Sequence, residues 1–426
     1  MTSTAPGVLV VGAGQAGLQL ACSLRDADYG ERITLVGEEP HPPYQRPPLS
    51  KAYLKGDVDK DALMLRAAGF YADRRIELVA GDRAVAVTRD TDGSGEAVCA
   101  SGRVLSFRVL VLATGARPRA LGIDGAEAAG VHVLRTFEDA DSLAGRLRTA
   151  SDVAVIGGGF VGLEIAAAAR GAGARVTVLE AAPRLLGRAV GPVTADRVLA
   201  LHRASGIDVR LGAAPTRIVA GQGRAEAVEL MDGSSVAAQL VVVGIGAVPN
   251  TELAESMGLS CDRGIVVDAF SRASDGTTLA IGDCAVVPDP TPAARSGARL
   301  RMESVDNAVQ QAKAAAATIL GERRPYAGMP WFWSDQGNLK LQIAGVREAT
   351  DLAVARGFGD PTKLVVGHYR DDRLVAAEAV NAPADFMALR KALANGVDIA
   401  PSALADPGVP LKTLIQERAG NALTAG

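Results

Sequence analysis

Cysteine is scarce: four residues in a chain of 426, Cys22, Cys99, Cys261 and Cys284, with no two close in sequence. That spacing excludes a C-x-x-C relay, a disulfide framework and a zinc site as expectations. Isolated thiols of this kind pack as small apolar residues. Histidine is equally thin and scattered (His41, His132, His202 and His368), which offers neither a metal cluster nor a Ser/His pair. There is no basic excess. The formal charge is −3 and no basic stripe interrupts the sequence, so a nucleic-acid partner is not expected. No apolar run reaches the ~18 residues of a membrane span. The first apolar run begins by Val8, without the charged start and small-residue cleavage site of a secretory leader, and a cytoplasmic protein is the expectation. What is present suits a globular protein: 48% apolar and 22% charged residues, in a length that suits two or three domains at about 150 residues each.

The organising feature is an echo. Val8-Leu-Val-Val-Gly12-Ala-Gly14-Gln-Ala16-Gly17 opens the chain, and Val153-Ala-Val-Ile-Gly157-Gly-Gly159-Phe160-Val161-Gly162 repeats it. Each copy is an apolar run, a glycine turn and a helix-forming stretch (Leu18 to Arg25; Leu163 to Arg170). Each leads to a β-rich run ending in acid, at Glu38 and at Glu180. This is a βαβ unit written twice. The first glycine permits a tight turn, the second lets backbone approach a pyrophosphate, and the third lets the helix pack close to the strand. The helix N-terminus supplies N–H groups and the positive end of its dipole. The acid, near the spacing of about 20 residues carried by such motifs, accepts hydrogen bonds from ribose hydroxyls. One G-x-G-x-x-G is weak evidence. Two, each between strand and helix and each with its acid, predict two dinucleotide sites.

Strands ending in turns follow at Arg108 to Pro118, Leu240 to Asn250 and Leu279 to Cys284. The second unit therefore reads as inserted into the first. The expected domains are 1–118 with 250–324, 119–249, and 325–426. A helix from Ser304 to Leu320, stopped by Gly321, closes the first. After Pro325 the pattern changes to short β-like runs (Lys340 to Ala344; Leu364 to Tyr369; Leu374 to Ala379), then helical stretches at Ala384 to Ala394 and from Leu411. The fold class is α/β: two Rossmann-like dinucleotide-binding domains and a smaller α/β C-terminal domain.

Several segments are more discriminating than the glycines: Pro43-Tyr-Gln-Arg-Pro-Pro-Leu-Ser-Lys51, Ala113-Thr114-Gly115-Ala-Arg-Pro118, Leu134-Arg-Thr-Phe-Glu-Asp139, Gly282-Asp-Cys-Ala285, Glu303-Ser-Val-Asp-Asn-Ala308 and Trp331-Phe-Trp-Ser-Asp335. Together they resemble the FAD-dependent NADH:ferredoxin reductases of bacterial cytochrome P450 and ring-hydroxylating dioxygenase systems, of the putidaredoxin reductase and biphenyl dioxygenase reductase type. The resemblance covers nearly the whole chain and implies a glutathione-reductase-like pair of nucleotide domains. Rubredoxin reductases and apoptosis-inducing factor are more distant relatives.

By that resemblance the N-terminal unit binds FAD. Gly12, Gly14, Ala16 and Gly17 would cradle the pyrophosphate and Glu38 the adenosine ribose. Arg46, Lys51, Val85 and Arg135 would line the cofactor, with the Ala113-Thr114-Gly115 turn, Asp283 on the ribityl chain and Val305 at the start of the closing helix. That helix would turn free N–H groups and its positive dipole end toward the flavin edge where negative charge collects on reduction. The second unit would bind NADH through Gly157, Gly159, Phe160, Val161, Gly162 and Glu180, with Gly246 at the nicotinamide amide. Glu180 favours a free 2′-hydroxyl over a 2′-phosphate, while Arg184 and Arg188 keep NADPH open. Lys51 and Glu164 would pair at the reacting centre, ordering the nicotinamide and balancing charge as hydride leaves it. A plain surface salt bridge is the other reading of those two residues. Trp333, and less so Trp331, would contact the flavin; tryptophan in the core is the alternative, and Tyr44 is open either way.

Disulfide reductases built on the same two units use a cysteine pair, which this chain lacks, so its electrons should pass to an external carrier. The resemblance points to a [2Fe–2S] ferredoxin and, beyond it, to a P450 or dioxygenase. Such carriers are usually acidic and would dock on locally basic residues; the candidates are Arg66, Lys313, Lys340, Arg390, Lys391 and Lys412, any of which is otherwise an ordinary solvated cation. The rival acceptors are rubredoxin and oxygen. A rival of another class is an NADH-responsive flavoprotein like apoptosis-inducing factor, whose shape change matters more than turnover.

Overall fold

A computed structural model of the chain describes residues 6–414. The helical stretch expected from Leu411 is followed only to Leu414; residues 415–426, which the expected C-terminal domain included, lie outside the described part. The chain divides into two compact units: Met1–Gln45, Asp61–Arg117 and Ala247–Pro330 form one, and Arg46–Lys60, Pro118–Gly246 and Trp331–Gly426 the other.

In the first unit the strands Ile76–Ala80, Ile33–Gly37, Gly7–Val11 and Val104–Leu112 lie side by side and parallel, with Leu279–Ala280 along the far edge of Val104–Leu112. Val10 lies opposite both Leu35 and Val111. Gly7–Val11 is buried throughout, as a central strand covered on both faces must be. A hairpin, Ala84–Arg89 with Gly95–Cys99, extends the sheet antiparallel. One face is covered by the helix Gln15–Asp26, packed on the helix Val305–Ile319. The contact is close because the second helix turns Ala308, Ala312, Ala315 and Ala316 into it. Ser304 caps that helix, its Oγ accepting from the Asn307 N–H (3.1 Å).

The second unit repeats the plan with Asp208–Leu211, Arg175–Glu180, Asp152–Ile156, Leu240–Val243 and Val131–His132, all parallel. The helix Phe160–Gly171 follows the glycine turn. Three antiparallel strands, Pro215–Gly221, Arg224–Leu230 and Ser235–Ala237, are added to it. From Trp331 the chain builds a five-stranded antiparallel sheet in the order Trp331–Gln336, Leu339–Gly345, Arg373–Val380, Leu364–Arg370, Leu352–Arg356. Asp371 and Asp372, at φ 49° and 62°, make a two-residue hairpin turn with both residues left-handed. The helix Pro383–Ala394 packs on this sheet through Phe386 and Leu389.

Two features depart from the expected domains. Arg46–Lys60, expected within 1–118, belongs to the second unit, where the Tyr53 hydroxyl donates to Asp141 (2.6 Å), Lys60 pairs with Asp141 (2.8 Å) and Lys51 with Glu164. The C-terminal sheet also shares a unit with the second nucleotide fold. Its Leu339, Leu341, Leu364 and Val366 enter the same apolar core as Val155, Leu163 and Val178. Among the described residues no helix is long and apolar enough to cross a membrane.

Candidate active site

The two glycine turns have the same internal logic. Gly12 (φ +121°) abuts the strand end beyond it: a Cβ there would sit 2.0 Å from the Ala113 carbonyl oxygen. A Cβ on Gly17 would sit 2.2 Å from the Gly12 oxygen. Between them Gly14 faces open space, with nothing within 4 Å. In the second unit Gly157 (φ +106°) and Gly162 are closed in the same way, by the Gly244 and Gly157 oxygens at 2.5 and 2.2 Å, while Gly159 meets nothing nearer than 3.6 Å. The outer glycines are thus demanded by the protein's own backbone, and the middle one leaves room for something else. Gly14 and Gly159 are also the N-caps of their helices, and no side chain caps either. An uncapped helix start with clear space before it suits a pyrophosphate, so each cradle fits the dinucleotide expected of it.

Each acid stands at the end of the second strand of its unit. A Cβ on Gly37 would strike Ala13, which sets the strand end carrying Glu38 beside the first glycine turn. Glu38 itself is largely exposed, 3.9 Å from Arg83. Glu180 is held more firmly: Gly158 N–H donates to Oε2 and Ala182 N–H to Oε1, both at 2.7 Å. Arg188 lies across Gly246 (φ +105°), its Nη2 3.2 Å from where a Cβ would be. Arg184 keeps one buried guanidinium nitrogen without a hydrogen-bond partner among the described residues.

Elsewhere in the first unit, Gly282, which precedes Asp283, packs against Ala16, and its N–H donates to Gln311 Oε1 (2.7 Å). Gln311 in turn donates to Asn307 (2.9 Å), as does the Tyr326 hydroxyl (3.0 Å). Thr114 donates to the Asn250 carbonyl (2.6 Å) and accepts the Asn250 amide at its own carbonyl (2.8 Å), tying the outgoing strand to the returning one. Gly115 makes that turn at φ +67°. Val85 is half exposed on its strand and Val305 opens the closing helix.

The second unit gathers the remaining candidates. Arg46 Nη1 donates to the Arg135 carbonyl (2.6 Å), and Arg135 immediately precedes a helix with a full capping box, Thr136 with Asp139. Lys51 Nζ lies 2.8 Å from Glu164 Oε2 and 3.1 Å from the Pro47 oxygen. The Glu164 side chain is only 4% exposed, so the surface-salt-bridge reading is wrong. The Ser50 hydroxyl donates to the same oxygen, and Ser334 donates to Oε1 (2.6 Å). Both serines lie inside segments marked by the sequence, but nothing in their local pattern points to Glu164 as their partner. Phe160 packs on Phe332 at 4.5 Å, and Val161 is exposed. Trp333 stacks on Trp331 (5.1 Å), which also meets the Arg390 guanidinium at 4.0 Å and the Phe386 ring at 6.5 Å. Tyr44, in the first unit, donates to Glu39 (2.5 Å).

All four cysteines are free, and burial pushes each thiol above its ordinary range. Cys284, fully buried, donates weakly to the Ile281 oxygen (3.3 Å). A buried thiol with a raised pKa does not exchange disulfides. Of the basic candidates, Arg66 and Lys313 belong to the first unit and Lys340, Arg390, Lys391 and Lys412 to the second. Arg66 covers Phe70 at 5.2 Å. No group of His, Cys, Asp and Glu able to hold a metal occurs among the described residues.

Comparison with known proteins agrees with this geometry. Residues 6–312 match the pyridine nucleotide-disulphide oxidoreductase family model and residues 331–415 the reductase C-terminal model. Rhodocoxin reductase of Rhodococcus erythropolis is 44% identical over 96% of this chain and 94% of its own. The ferredoxin reductase for the CYP199A2 system of Rhodopseudomonas palustris superposes with a TM-score of 0.91 at 42% identity, covering 96% of this chain and 99% of that one. Putidaredoxin reductase in its covalent complex with putidaredoxin gives 0.92 at 36%, covering 98% and 100%. The chain belongs to the pyridine nucleotide-disulphide oxidoreductase family, in the branch that holds these reductases.

Proposed function

We propose that this protein is a cytoplasmic NADH:ferredoxin oxidoreductase that draws hydride from NADH and hands single electrons to a [2Fe–2S] ferredoxin serving a P450 or ring-hydroxylating dioxygenase. The observation that carries it is the doubled cradle, an open middle glycine before an uncapped helix in each unit, in a chain with no usable thiol pair. FAD, bound in the first cradle, would supply the chemistry of taking two electrons together and releasing them one at a time.

The rest falls to the chain's own residues. Gly12, Gly14, Ala16 and Gly17 receive the pyrophosphate, and Glu38, Val85, the Ala113–Gly115 turn, Asp283 and Val305 line the cofactor; Arg46, Lys51, Arg135 and Trp333 are assigned to the cofactor as well. Gly157, Gly159, Phe160, Val161, Gly162, Glu180 and Gly246 receive the nicotinamide dinucleotide. Two backbone N–H groups orient the Glu180 carboxylate. A 2′-phosphate brought against it meets like charge, so NADH is preferred to NADPH. Lys51 and Glu164 orient the nicotinamide and balance charge around it. Being buried and held by three donors, Glu164 does so from a fixed position. Relatives named for rhodocoxin, putidaredoxin and ferredoxins support the acceptor. Docking is assigned to Arg66, Lys313, Lys340, Arg390, Lys391 and Lys412.

The test is anaerobic stopped-flow mixing with NADH, then with candidate iron–sulfur proteins. Bleaching of a yellow protein by NADH, and rapid electron transfer to a ferredoxin, is the expected result. A colourless protein that takes up no FAD overturns the reading, and a yellow one that reduces only rubredoxin or oxygen overturns the acceptor.

A further inference from the structure

Behind Glu164 runs a line of buried polar side chains that nothing in the nucleotide motifs requires. Ser334 Oγ donates to Glu164 Oε1 (2.6 Å), Gln336 Nε2 donates to Ser334 Oγ (3.1 Å), and His202 Nε2 meets Gln336 Oε1 at 2.7 Å. Ser334 is fully buried, and Gln336 and His202 are each 3% exposed. The line crosses three elements of one unit: the nucleotide helix Phe160–Gly171, the strand Trp331–Gln336 and the helix Pro192–Ala204. Strand alternation makes it possible, since Ser334 and Gln336 share one face while Trp331 and Trp333 share the other.

Its direction is set by chemistry. A carboxylate only accepts, so the one Ser334 proton goes to Glu164. Ser334 must then accept, so Gln336 turns its NH₂ to it and its carbonyl to His202. A carbonyl only accepts, so His202 carries its proton on Nε2. Burial holds that imidazole below its ordinary titration range, so the ring is neutral and has one proton to give. Every donor thus points toward Glu164, and each bond polarises the next in the same sense.

We propose that Ser334, Gln336 and His202 are positioning residues that hold the Glu164 carboxylate in one orientation for hydride transfer. The inference rests on the role given to Glu164 above. Ser50 and Lys51 engage Oε2 alone, so without Ser334 the carboxylate is free to turn about that end. Hydride transfer is sensitive to such a shift, whereas ground-state binding through the glycine cradle is not.

The experiment joins kinetics to a measurement on the imidazole itself. Ser334→Ala and Gln336→Leu should slow the limiting rate of flavin reduction about tenfold with the apparent NADH affinity little changed, and Ser334→Thr, which keeps the hydroxyl, should restore most of the rate. Nitrogen NMR of histidine-labelled protein, as purified, should show His202 as the Nε2–H tautomer. Ser334→Ala and Glu164→Gln should each move that signal although neither position touches the ring. Wild-type reduction by Ser334→Ala, beside a slow Glu164→Ala, overturns the positioning role alone. A His202 signal indifferent to both substitutions overturns it as well. Wild-type reduction by Glu164→Ala removes the role of Glu164 itself, and the inference with it.

Discussion

The contrast between the middle and outer glycines makes a prediction that separates binding from folding within one motif. Replacing Gly159 by alanine adds a methyl group that meets no protein atom nearer than 3.6 Å, in an extended backbone (φ −85°, ψ −178°) that alanine adopts freely. The fold should lose only the difference between glycine and alanine as an N-cap, about 0.5 kcal/mol. The same methyl on Gly162 would lie 2.2 Å from the Gly157 oxygen, about 1 Å inside ordinary contact, with Val155 behind it at 3.3 Å. Helix and strand must then separate, at roughly 1–3 kcal/mol, or about 3–10 °C in Tm for a unit of this size. Binding should show the reverse emphasis. A methyl group in the open position denies a phosphate oxygen its approach to the helix amides. Losing one hydrogen bond to a charged group, about 1.5–3 kcal/mol, raises the NADH dissociation constant roughly 10- to 100-fold. Thermal unfolding of the two variants, with the NADH dependence of flavin reduction rate, provides the assay. A Gly159→Ala protein that binds NADH like wild type, or a Gly162→Ala protein just as stable as wild type, refutes the geometric argument.

Glu180→Ala removes the charge that opposes a 2′-phosphate and frees the Gly158 and Ala182 amides; the NADPH-to-NADH ratio of kcat/KM should rise at least about tenfold, and an unchanged ratio in steady-state assays argues against the assignment. Raising salt should weaken ferredoxin reduction while leaving NADH oxidation by a small neutral dye nearly unchanged, so equal effects on both would remove the basic docking surface. Stability should fall in mild acid through His202. Its folded-state pKa is lowered by burial, so the unfolded chain takes up the proton first, and stability present above about pH 6.5 is lost below it at up to ~1.4 kcal/mol per pH unit. Denaturant unfolding at pH 7.5 and 5.5 should therefore show a shallower loss for His202→Leu than for wild type, and parallel losses would contradict the argument.

What the sequence made legible follows from the range over which each signal acts. The nucleotide folds are local: strand, glycine turn, helix and acid lie within one stretch, and the geometry that needs Gly12 and Gly17, or Gly157 and Gly162, involves backbone only a few residues away or the next parallel strand. The surroundings of Glu164 are not local. Ser50 reaches it across 114 positions and Ser334 across 170, and no periodicity records such a pairing. His202 is one of four scattered histidines, and one histidine on a helix face looks the same in sequence whether it meets solvent or a buried amide. The same limit explains the segment 46–60. Its apolar pattern is short, and its place in the second unit is decided by Tyr53, Lys60 and Lys51 finding acids far along the chain. In the C-terminal sheet, Trp331–Gln336 and Leu352–Arg356 lie outside the β-like runs of the sequence for a different reason: the first passes from three aromatics directly into polar residues, and the second has only the short, alanine-rich stretch Leu352 to Ala355, which does not distinguish strand from other structure. Glu164 joins the two kinds of information. Its position two residues after Gly162 comes from the motif, whereas its fixed orientation comes from a strand laid down much later in the chain, which is why the motif alone locates a nucleotide but not the geometry in which it would react.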